Sequence, residues 1–202
     1  MTPETHDLQQ YLKSTPVIDA QHPDIVGTAR DITSDTQSDV DQASRLFEWV
    51  RDTIPHSWDI QTRVVTCTAS DVLARKTGIC MAKSHLLAAL CRSVGIAAGF
   101  VYQRFKRDLD EPEFGLHGLN GIYLASLDRW IRVDPRGNKP GVNAQFSLDE
   151  EQLAFPPDPA KGERIIETIF VDPDPAVIDF LQTTPDLLEG WENLPAQLQH
   201  TV

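Results

Sequence analysis

Cys80 stands where Thr77-Gly78-Ile79-Cys80 gives way to a long apolar run, Met81 to Val94, that predicts a buried helix. A thiol at a helix N-terminus meets backbone N–H groups and the positive end of the macrodipole. These favour thiolate and bring such cysteines from a free pKa of about 8.5 to roughly 3.5–7.5. Downstream, His117 precedes one strand-like run, Leu119 to Leu124, and Asp134 ends another, Trp130 to Val133. Strands laid against the start of the helix would bring a base and its orienting carboxylate to the thiol. By position alone each residue also has an ordinary reading: a small buried hydrophobe for Cys80, a loop histidine for His117, and a turn cap before Pro135 for Asp134.

The elements that must position these groups are legible in outline. Asp31, Asp35, Asp39 and Asp41 form an acidic polar loop without the Gly and closing Glu of an EF-hand, so it reads as a helix entry rather than a calcium site. Ser38 and Asp39 are good caps, and Val40, Ala43, Phe47, Val50 and Ile54 then recur at helical spacing until Pro55. His56 to Ile60 and Val64-Val65 read as extended, and Ser70 or Asp71 caps a short helix through Lys76. Gly95 followed by Ile96 predicts a left-handed stop to the central helix. Ala98 to Phe105, Leu119 to Leu124 and Trp130 to Val133 read as a meander, hence an antiparallel sheet packed on that helix. Past Gln145 the chain holds seven of its fourteen prolines, and Glu163 to Val171 is its one convincing strand. This predicts a single domain over 1–202, with a core at about 40–145 and a proline-rich wrapping segment over 146–202.

Thirty acidic against eighteen basic residues give a net charge of −12, which argues against a broad nucleic-acid or anionic-membrane surface. Neither a signal-peptide pattern nor a membrane-length apolar stretch is present, so the expectation is a cytoplasmic protein. The three cysteines are odd in number and irregularly spaced, which fits reduced thiols. No Cys-x-x-Cys or His-x-x-x-His spacing suggests a metal, and neither metal nor cofactor is expected.

Three ordered motifs carry a resemblance. The first runs through Ala69-Ser70-Asp71-Val72-Leu73, Gly78-Ile79-Cys80 and Leu86 to Ile96; the second is His117 before a strand; the third is Trp130-Ile131-Arg132-Val133-Asp134-Pro135. Together they resemble the transglutaminase-like superfamily, relatives of papain-type cysteine proteases. The resemblance implies an α+β papain-like fold with a buried nucleophile helix on an antiparallel sheet. It implies Cys80 as nucleophile, His117 as general base and acid, and Asp134 as the group that orients the imidazole. It also implies an oxyanion hole made by the Cys80 N–H and a second donor, for which Trp58 and His56 are the candidates. Gly78 would let backbone and substrate approach closely.

Met81 stands where tissue-type transglutaminases carry Trp, and no aromatic follows His117 at the second position. An amidase or peptidase acting on a peptide or amide through a thioester is therefore expected. An amine-accepting acyltransferase and a non-catalytic binding module on the same fold are the alternatives. Lys83 and Ser84, three and four residues past Cys80, lie near its helix face and are candidates for the cleft or for ordinary packing. His85 faces elsewhere, and Cys67 and Cys91 read as buried hydrophobes. Arg136-Gly137-Asn138-Lys139 is a basic turn in an acidic chain, readable as a contact for a substrate carboxylate through Arg136 and Asn138 or as a solvated turn.

Overall fold

The structure is a computed structural model that describes residues 1–107 and 114–199. Its centre is a helix, α4 (Cys80–Ser93), preceded by α1 (Pro23–Thr33), α2 (Asp39–Thr53) and α3 (Ala69–Arg75). Every residue of α4 from Cys80 to Arg92 is buried, as its nearly uninterrupted small and apolar sequence requires. The helix contacts all three preceding helices together with two strands, β2 (Ala98–Lys106) and β3 (Phe114–Leu124). Gly95, at φ +83°, ends it, and Ile96 N–H reaches back to Cys91 O at 2.9 Å.

β2, β3 and β4 (Arg129–Val133) form the expected antiparallel meander. β5 (Arg164–Phe170) adds antiparallel to β2, and the two-residue β1 (Thr2–Pro3) pairs with β5 in parallel, so the outer edge of the sheet departs from the antiparallel expectation. Helices on one sheet make this an α+β fold.

Several local expectations are corrected. The acidic segment is not all loop: Asp31 lies in α1, which starts at Pro23 behind a His22 ring that accepts the Asp24 N–H. Thr68 caps α3 in place of Ser70 or Asp71, its Oγ1 accepting the Asp71 N–H, while Ser70 N–H donates to Asp19. His56 to Ile60 turns rather than extends; only His56 makes a bridge, to Gly78. The segment after Gln145 does more than wrap. It inserts β5 into the sheet, and α5 (Pro175–Thr183) and α6 (Leu187–Gly190) place Val177, Phe180, Leu181 and Leu187 in the main apolar cluster.

Candidate active site

Cys80 is the first residue of α4, and no side chain of Ile79 caps that end. The cap comes from elsewhere: Cys80 N–H donates to His56 Nε2 at 3.1 Å. His117 lies within β3, paired with Gln103 of β2, rather than ahead of the strand. The next residue, Gly118, explains how the strand reaches the helix, because a Cβ there would lie 2.8 Å from Met81 Cα. Only glycine lets β3 pass so close to the start of α4.

Asp134 follows β4 directly and is fully buried. Its Oδ2 accepts from His117 Nε2 at 2.8 Å and from Ala154 N–H at 2.9 Å, while Oδ1 accepts from Arg136 N–H at 3.0 Å. The carboxylate is thus fixed by two backbone donors, and the imidazole by the carboxylate, which leaves Nδ1 as the ring nitrogen for Cys80. Burial works against an ionised Cys80, yet the charge of His117, a hydrogen bond with its ring and another from the Gly118 backbone bring the thiol below its ordinary pKa. Burial also opposes a charged His117, but the Asp134 carboxylate and the Cys80 sulfur raise it to about 10. Asp134 itself is held low against burial, first by His117. These directions all favour the same charged row of thiolate, imidazolium and carboxylate.

The remaining candidates divide. His56, Trp58 and Arg136 line the same cleft as Cys80 and His117, whereas Gly78, Ser84 and Asn138 do not. His56 is an acceptor here, not the anticipated donor. Burial and then the Arg136 charge hold its pKa well below the usual imidazole value, its proton sits on Nδ1, and that atom finds no partner among the described residues. Gly78 is packed by Ala82, Thr66 and Val72, so the close approach it permits is the protein's own. Ser84 Oγ donates to Cys80 O inside the helix. Asn138 grips Ala144 through both its amide N–H and its carbonyl, which closes a loop. The Arg136 guanidinium is bound by Asp59 in a two-point ion pair that Lys139 joins.

Three contributors carried no sequence signal for these roles. Lys83 is completely buried, and its ammonium donates to the carbonyls of Arg51, Ile54 and Arg136, tying the end of α2 and the turn after Asp134 to the central helix. Burial pushes it down to about 7. Phe155 meets the His117 ring edge-on at 5.2 Å, and Trp191 stacks on Trp58 at 4.1 Å.

Among known proteins, the profile described as the transglutaminase-like superfamily matches residues 26–135. No curated protein matches. Of solved structures, a candidate cysteine protease from Cytophaga hutchinsonii is 18% identical with a TM-score of 0.52, over 65% of this chain and 43% of that one. A candidate protease from Parabacteroides distasonis is 12% identical with a TM-score of 0.41, over 65% of this chain and 28% of that one. The chain spans less than half the length of either protein, and the first likeness is one of fold.

Proposed function

Since this chain belongs to the transglutaminase-like superfamily, we propose that its cleft is the active site of a thiol acyl-transfer enzyme, an amidase or peptidase. In this reading Cys80 is the nucleophile, His117 the acid and base, and Asp134 the orienting group. One observation carries it: a buried imidazole held by a buried carboxylate at 2.8 Å, with a thiol of lowered pKa at a helix start against its other nitrogen.

The Cys80 thiolate attacks the carbonyl carbon of an amide, and the C=O pair moves onto oxygen. Collapse of that adduct breaks the C–N bond, and His117 Nδ1–H protonates the leaving amine. Water then gives a proton to Nδ1 as its oxygen attacks the thioester. Breaking the C–S bond releases a carboxylic acid and restores thiolate and imidazolium. Asp134 stays ionised throughout, accepting the Nε2–H hydrogen bond and holding the ring in one orientation. The first oxyanion donor is the Cys80 N–H, so a bound carbonyl exchanges places with His56 Nε2; Trp58, in the same cleft, is the candidate second donor.

The test is labelling by iodoacetamide against pH, read on each cysteine peptide by mass spectrometry. At pH 6, Cys80 is expected to react far faster than a free thiol, whose pKa near 8.5 leaves well under about 1% thiolate there. Cys67 and Cys91, pushed up by burial to about 11 and about 12, are expected to lag. Similar rates at all three would overturn the assignment. Incorporation of a labelled amine into a glutamine peptide, at a rate above hydrolysis, would move the enzyme to the transferase class.

A further inference from the structure

The cleft beside Cys80 has a volume of about 590 Å³ and contains four half-buried aromatic rings. They occur as two stacked pairs. Trp58 lies on Trp191 with centroids 4.1 Å apart and planes 19° apart, and Phe105 lies on Phe155 at 6.0 Å and 7°. His117 stands edge-on to both phenylalanines, at 5.2 Å from Phe155 and 6.1 Å from Phe105, so the apolar surface begins at the reacting groups themselves. Several charged side chains of the cleft are already engaged by the protein: Arg136 and Lys139 meet on Asp59, Lys161 pairs with Asp158, Arg107 donates to Trp191 O, and Glu163 accepts from the Lys106 and Asp158 N–H groups. Beside them the cleft offers a ligand continuous ring surface, which remains wet until something covers it.

One ring of each pair, Phe155 and Trp191, comes from the C-terminal segment, outside the residues 26–135 that match the superfamily. Both are held in place. Ala154 is fixed by its N–H to Asp134, and Trp191 O accepts from Arg107 Nη1 at 2.9 Å. We propose that this cleft selects an acyl donor bearing an aromatic or similarly large apolar group next to the scissile carbonyl, and that Phe155 and Trp191 set that selection. The inference rests on Cys80 as the nucleophile, and deepens that reading by naming the class of substrate.

The probes are iodoacetamide and N-benzyl iodoacetamide, reacted with the full chain and read on the Cys80 peptide; the quantity is the ratio of the two rates, normalised to the same ratio for glutathione. A ring-sized apolar contact discriminates by about tenfold or more, so the wild-type ratio is expected to reach that level and the benzyl reaction to saturate with concentration. Trp191→Ala and Phe155→Ala should each bring the ratio toward one. Trp191→Phe, which keeps a stacking ring and the tail contact, should retain most of it, separating a lost surface from a loosened tail. Trp49→Leu, outside the cleft, should leave it unchanged. A wild-type ratio near one, or a ratio that survives both alanine variants, overturns the proposal. A sluggish Cys80 with the ratio intact would instead sink the acyl-transfer reading and leave the selectivity standing.

Discussion

Two regions along α4 bring together the same kinds of side chain and treat them in opposite ways. At its start, Cys80 has a lowered pKa and faces a His117 raised to about 10. Further along, Cys91 is pushed up to about 12 and His85 down to about 4, each mainly by burial. His85 Nδ1 lies 2.8 Å from Cys67 O, Nε2 finds no partner among the described residues, and Phe100 stands edge-on to the ring. All four groups are buried, so removal from water does not separate them. The difference is a carboxylate: Asp134 raises the His117 pKa, and His117 in turn lowers that of Cys80. Without such a partner, burial makes a thiol inert and an imidazole neutral.

The sharpest way to break this contrast is to remove the cation. His117→Ala should return Cys80 to the company of Cys91, with labelling at pH 6 falling by about a hundredfold or more as the thiolate fraction drops to that of an ordinary or raised thiol. Asp134→Asn should shift the same labelling curve to higher pH by a smaller amount, because an amide cannot support the imidazolium. An unchanged curve in Asp134→Asn beside a large shift in His117→Ala would reduce Asp134 to a turn residue.

The contrast can also be read in stability. Leu90→Ala, in the inert half of the helix, should cost about 2–5 kcal/mol by leaving a cavity in a filled core. Cys80→Ala should cost much less. Denaturant midpoints measure both, and a Leu90→Ala loss below about 1 kcal/mol would place the helix at the periphery.

The smallest expected effect lies in pH dependence. His85 binds its proton at about 4 when folded and near the ordinary value of about 6.5 when unfolded, so between those limits the unfolded chain holds more protons and stability falls as pH falls. His117 has the opposite sign: its stabilisation is present below its unfolded value and is lost as pH rises through about 10. In His85→Leu the acid limb, followed by urea midpoints from pH 7 to pH 4, should be shallower by up to about 1.4 kcal/mol per pH unit. An identical limb would mean that His85 is not held neutral.

Much of this was legible from the chain. The apolar run to Val94 and the Gly95 stop located α4 because a helix surrounded by protein has no polar face to confuse its period. The three motifs marked Cys80, His117 and Asp134, and the structure brings these residues together. Less visible was anything that depends on long-range approach. Gly118 reads locally as a loop residue, yet its lack of a side chain is what admits Met81. Lys83 reads as a cleft or packing residue because sequence carries no notice that carbonyls from the end of α2 and from the turn after Asp134 converge on it. His56 was found, but whether it donates or accepts depends on where the Cys80 N–H points. Phe155 and Trp191 lie in a proline-rich stretch without periodicity, and nothing local marks the rings they stack on.

Asp134 draws one of its three hydrogen bonds from Ala154, and the Trp58 ring is covered by Trp191. On the ribosome these partners are made after the residues they serve. At about 5–20 residues per second, roughly three to eleven seconds separate synthesis of Asp134 from that of Trp191. During that interval the nascent chain already contains Cys80, His117 and Asp134 but not the ring that covers Trp58, and for its first third not the Ala154 N–H either. The elements that complete the cleft thus follow, in the order of synthesis, the residues they complete.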